Sequence, residues 1–168
     1  MDIIRYFLKF RIFVYLLISL VLGMVFSAVT GRNVYRSLTP VLFTQLYLLR
    51  IIDDYFDYER DKETKKVKIK KEKLQILLGL AIALYLWLNF ITYGLRSSCA
   101  VLIVALAVAE EKFVFLQIFM AAFSAFCYLS IYKKLSDFGK AEVIFLAIIF
   151  AISLVFVFFK RRKRVWFV

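Results

Sequence analysis

The chain has no histidine, a single proline, five glycines and two cysteines in 168 residues. Without histidine there is no Ser-His-Asp or Cys-His nucleophilic site, and no imidazole-held metal. Any metal must be held by oxygen. With proline confined to Pro40 and glycine scarce, helices are expected to be long and seldom interrupted; Gly94 and Gly139 fit turns between them. Cys99 and Cys127 lie in apolar segments, where a thiol packs as a small hydrophobe. No internal repeat, low-complexity tract or linker is present.

Apolar residues are abundant, at 64% of the chain, which excludes an ordinary soluble core of this length. Runs of about 18 or more apolar residues read as membrane-spanning helices. Ile12–Thr30, Leu74–Tyr93 and Phe113–Tyr132 meet that standard, and Ala141–Phe159 does so with Glu142 as its one charge. Pro40–Ile52 and Cys99–Ala109 are shorter, the latter needing Leu95–Ser98 to help it cross. The expected fold class is therefore an all-α integral membrane protein of about six transmembrane helices. One domain covers residues 1–168, with spans near 12–30, 40–57, 74–93, 95–109, 113–132 and 141–159. Ser37, Thr39 and Pro40 together predict that the second helix starts at Pro40. From there to Asp61 is about 33 Å at a rise of about 1.5 Å per residue.

The net charge of +12 is unevenly spread. Arg60, Lys62, Lys65, Lys66, Lys68, Lys70, Lys71 and Lys73 form one basic loop, and Lys160–Arg164 form another cluster. Arg5, Lys9 and Arg11 precede the first span. Basic residues concentrate in cytoplasmic loops. Six spans place 17 of them inside and 6 outside, whereas five spans would export the basic C-terminus. The expectation is a multi-pass protein of a prokaryotic plasma membrane with both termini cytoplasmic, its basic tail attracted to anionic membrane lipid. No motif points to nucleic acid. A signal peptide is set aside for the first span: its apolar stretch is long for one, and cleavage would discard a helix the charge balance uses.

The stretch from Arg50 to Asp61 sets five acidic residues at the end of an apolar segment. Acids beside lipid are costly unless compensated, so they are candidates for function. On a continuous helix Asp54, Asp57 and Asp61 share a face, as do Asp53, Asp57 and Asp61. Three converging carboxylates call for a cation, and hard oxygen donors suit Mg²⁺, which bridges to substrate phosphates.

The sequence Asp53-Asp54-Tyr-Phe-Asp57-Tyr-Glu-Arg-Asp61 resembles the first aspartate-rich motif, N-D-x-x-D-x-x-x-D, of the UbiA family of intramembrane prenyltransferases. Asp54, Asp57 and Asp61 occupy its Asp positions, Asp53 stands where Asn is usual, and Arg50 is similar to an Arg that often precedes the motif. The resemblance covers about the first 95 residues and implies a UbiA-like N-terminal helical bundle. It implies that Asp54, Asp57 and Asp61 are catalytic and hold Mg²⁺. Arg50, Asp53, Lys62, Lys65, Lys66 and Lys68 then help bind an isoprenyl diphosphate, whose prenyl group passes to a lipophilic or aromatic acceptor. Family members carry a second Asp-rich motif, which this chain lacks. Two alternatives stay open: a homo-oligomer or second subunit supplies it, or the chain is a degenerate, non-catalytic member.

Other functions were weighed on the same residues. A solvated helix end would pair these acids with Arg60, Lys62 and Lys65 and need no metal. A CDP-alcohol phosphotransferase motif requires glycines that the segment lacks. The alternative outside enzymes is a non-catalytic small membrane subunit or immunity-type protein whose acids bind a cation or a basic partner. Glu110-Glu111 reads as an interhelical turn.

Overall fold

The computed structural model describes residues 11–59, 70–110 and 116–165. Every ordered element among them is helical, as expected. In chain order these are α1 (Arg11–Thr30), α2 (Tyr35–Phe56), α3 (Lys71–Tyr93), α4 (Ser98–Glu110), α5 (Leu116–Tyr132) and α6 (Lys140–Val165). Short 3-10 turns, Gly94–Ser97 and Leu135–Asp137, precede α4 and α6. The chain divides into two compact units, one of residues up to Ala28 with Arg32–Ala100, the other of Val29–Gly31 with Val101 onward.

Two stretches, Ile12–Thr30 and Lys71–Ala109, are long and apolar enough to cross a membrane. Phe119–Tyr132 is apolar but shorter. In the two long stretches only 17% and 22% of the apolar window is buried. On α1, Phe13, Leu17, Val21 and Met24 are all exposed. A core helix of a soluble protein would hide such residues, whereas a helix apolar all round suits lipid.

The first unit is built from α1, α2 and α3. Gly31, at φ 64°, reverses the chain after α1, a backbone conformation that costs a glycine little. On the return, Ser27 Oγ accepts hydrogen bonds from the N–H groups of Val34 at 3.1 Å and Tyr35 at 2.9 Å, and donates to Gly23 O at 3.0 Å. The orphan donors at the start of α2 are thus capped from the preceding helix. This corrects the expected start at Pro40. The helix begins at Tyr35, and Pro40 lies inside it. An external cap makes the earlier start possible, and so near the N-terminus the ring removes a single backbone bond.

Leu38, Val41, Leu42, Gln45, Leu48, Ile51 and Ile52 form the buried stripe of α2 at helical spacing. Its C-terminal end packs on the N-terminal end of α3. Ile51, Leu74 and Leu77 make that cluster, flanked by Tyr47, Tyr55, Tyr58, Leu78 and Ala81. Tyr47 also meets Tyr15 of α1 edge to face, with ring centroids 5.9 Å apart. Farther along α3, Tyr85 and Asn89 are fully buried, and Asn89 Nδ2 donates to Tyr85 O at 2.9 Å.

Gly94, at φ 58°, ends α3. Cys99 is part-exposed where burial was expected; its Sγ lies 3.6 Å from Arg96 O at the turn into α4. Cys127 is buried. In the second unit α5 packs against α6. Phe119 meets Phe150 at 5.6 Å and Phe126 meets Phe138 at 6.2 Å, so the two helices run antiparallel. Lys133 Nζ and Glu142 Oε1 are 2.5 Å apart across their turn, and Gly139 N–H donates to Glu142 Oε2 at 2.8 Å.

Candidate functional site

The acidic segment closes α2. Phe56 is its last residue and Asp57 its C-cap, at φ −84° and ψ 2°, with the Asp57 N–H donating to Asp53 O at 3.0 Å. Residues 58 and 59 are helical again. The expected face through Asp54, Asp57 and Asp61 thus meets a one-residue interruption at Asp57. Asp61, Lys62, Lys65, Lys66 and Lys68 lie outside the described residues.

Arg50 organises what is described. Its Nη1 lies 2.7 Å from Asp53 Oδ2, and its Nη2 pairs with Asp54 Oδ1. Spacings of three and four along a helix put both acids within reach of one guanidinium, whose planar fork spans two carboxylates as an ammonium cannot. Arg50, Asp53 and Asp54 are all partly exposed. The guanidinium is incompletely satisfied, because its buried Nε–H has no hydrogen-bond acceptor.

The start of α3 supplies a second cation. Lys71 Nζ lies 2.9 Å from Glu59 Oε1 and 5.8 Å from the Tyr58 ring centroid. Both partners are well exposed, so the pair contributes little to stability. It nevertheless ties the residues after α2 to the first turn of α3. Sequence reasoning missed this pairing, which spans twelve residues and depends on how α2 packs on α3. The signal was present in the run Lys70-Lys71-Glu72-Lys73, read only as loop charge. The pairs expected for a solvated helix end, to Arg60, Lys62 and Lys65, also fall on undescribed residues. Arg50, expected to help bind substrate, lies on Asp53 and Asp54.

The donors suit a hard cation in kind, being carboxylates without sulfur or nitrogen. Among the described residues no three such side chains are grouped as a metal site.

No family model, curated protein or solved structure matches the chain.

Proposed function

We propose that this chain is a multi-pass membrane protein that binds an isoprenyl diphosphate with Mg²⁺ at the C-terminal end of α2. What supports this reading is the succession of Asp53, Asp54 and Asp57 along the C-terminal end of α2, where the dipole opposes acids. Such an arrangement is costly unless a cation is shared there. The apolar, little-buried surfaces of α1 and of Lys71–Ala109 support a lipid setting, and the remaining helices complete six crossings with both termini cytoplasmic.

In this proposal Asp54, Asp57 and Asp61 hold the ion, while Asp53 and Arg50 border it. Bound Mg²⁺ supplies Lewis-acid stabilisation of the leaving diphosphate. Lys62, Lys65, Lys66 and Lys68 place fixed positive charge where negative charge develops. The apolar helix faces receive the prenyl chain. Transfer to an acceptor requires a second aspartate-rich site from another copy or a partner.

One observation favours a different reading. Arg50 already neutralises Asp53 and Asp54, which fits a non-catalytic membrane subunit whose acids serve structure or a basic partner. The experiment that separates the two is thermal unfolding of the purified protein with Mg²⁺ and farnesyl diphosphate. A stabilisation that needs both and disappears in Asp57→Asn supports diphosphate binding. No shift at any Mg²⁺ concentration returns the protein to the subunit class.

A further inference from the structure

Thr39 Oγ1 of α2 and Asn89 Oδ1 of α3 are buried in the first unit without a hydrogen-bond partner. Thr39 is 8% exposed and Asn89 not at all. Hydroxyls inside helices commonly turn back to a carbonyl of the preceding turn, as Ser19 does to Tyr15 O at 2.6 Å and Thr92 to Leu88 O at 2.7 Å. The Thr39 hydroxyl faces α1 instead, where a Cβ built on Gly23 would lie 2.6 Å from it. Asn89 gives its Nδ2 to Tyr85 O at 2.9 Å, which leaves the amide oxygen over. Pro40, the residue after Thr39, has no N–H to offer Arg36 O, four residues before it. Packing brings these groups to one level. Lys71 at the start of α3 meets Glu59 beyond the end of α2, and Leu74 and Leu77 meet Ile51, so the two helices run antiparallel. Thr39 lies twelve residues before Ile51 and Asn89 twelve after Leu77, an equal rise of about 18 Å along each helix.

We propose that a water molecule is bound inside the first unit between α2 and α3, held by Thr39 Oγ1 and Asn89 Oδ1. The proposal is independent of the diphosphate reading. Water both donates and accepts, and these groups call for both. Its two hydrogens serve Asn89 Oδ1 and the Arg36 carbonyl, whose helical donor Pro40 lacks, while its oxygen accepts the Thr39 hydroxyl. About three partners is the usual complement of a buried water. A cation fits less well, because all of these donors are neutral. No acid occurs in α1, and the first acid of α2, Asp53, lies fourteen residues from Thr39, about 21 Å by helical rise. An uncompensated charge inside a membrane bundle is costly, whereas ordered water is one of the means by which a proline is tolerated there.

The test is X-ray radiolytic labelling of the purified full chain in detergent, read by mass spectrometry. Radiolysis turns bound as well as bulk water into hydroxyl radicals, which mark the side chains beside them. Tyr85, one turn from Asn89, and Tyr128 of the second unit are both wholly buried. Tyr85 should be labelled and Tyr128 should not. Thr39→Val and Asn89→Leu should each lower Tyr85 labelling to the Tyr128 level. In thermal unfolding the double variant should lose less than the two single losses added, since both remove the same water. If Asn89→Leu does not fold, Thr39→Val, of nearly the same shape, decides by its labelling alone. Equal silence of Tyr85 and Tyr128 in wild type, labelling of Tyr85 that neither substitution changes, or additive losses overturn the proposal. So does a stabilisation by sodium chloride over choline chloride that Asn89→Leu abolishes, which assigns the site to a cation. None of these outcomes bears on diphosphate binding.

Discussion

Lys133 Nζ lies 2.5 Å from Glu142 Oε1, and Glu142 is almost wholly buried at 2% exposure. The two residues close the turn between α5 and α6, and the second carboxylate oxygen takes the Gly139 N–H. Removing Lys133, which is itself part-exposed, strands the buried Glu142 carboxylate, which costs more than the pair itself contributes. Glu142→Gln and Lys133→Met should each lower the melting temperature in detergent by several degrees. The double variant should recover part of that loss. Independent, additive losses would show that the two side chains do not act as a pair.

Close approach of α1 and α2 at Gly23 gives a second expectation. A Cβ built there would lie 2.6 Å from Thr39 Oγ1 and 3.4 Å from the Tyr35 Cα. Thr39 is β-branched and stiff at its first torsion, so it yields poorly. Gly23→Ala should destabilise by about 1–3 kcal/mol, the range for overpacking. Thr39→Ala in the same chain should relieve most of that, as a double-mutant cycle by thermal unfolding would measure.

Ser27→Ala removes the hydroxyl that accepts from Tyr35 N–H and shares the Val34 N–H with Arg32 O, which Val34 keeps at 2.9 Å. The expected cost is about 1–2 kcal/mol, comparable with loss of a strong helix cap. Ser27→Thr retains the hydroxyl and should recover a large part of it. Equal stability of wild type and Ser27→Ala would remove the capping role.

The proposed topology has its own readout. Reporter fusions after residue 66 and at the C-terminus should be active only as cytoplasmic reporters. Fusions after Arg32 and after Ser136 should be active only outside. An external signal from the C-terminus would eliminate the six-crossing arrangement and return α4 to an interfacial or buried position.

Much of the helical order was legible because apolar runs and sparse Gly and Pro leave few other conformations in reach. The turn at Gly94 was readable for the same reason. The start of α2 was not, because Pro40 after Ser37 and Thr39 looks like a local start signal. The actual cap comes from Ser27, eight residues before Tyr35 and on another helix. At the candidate site, the sequence put Asp53, Asp54 and Asp57 at the end of α2, as the helix bounds do. It did not reveal that Arg50 turns back on two of them. That outcome depends on the balance between dipole, repulsion and one guanidinium. The pairing of Lys71 with Glu59 and of Lys133 with Glu142 required knowing which helix ends meet.

The shared hydroxyl at Ser27 also bears on maturation. A peptidase cutting after Ala28 would separate the capping oxygen from the helix that depends on it, leaving the first turn of α2 to fray. The leading helix is thus an internal brace for its successor, and a chain shorn of it should be recovered as a less stable species.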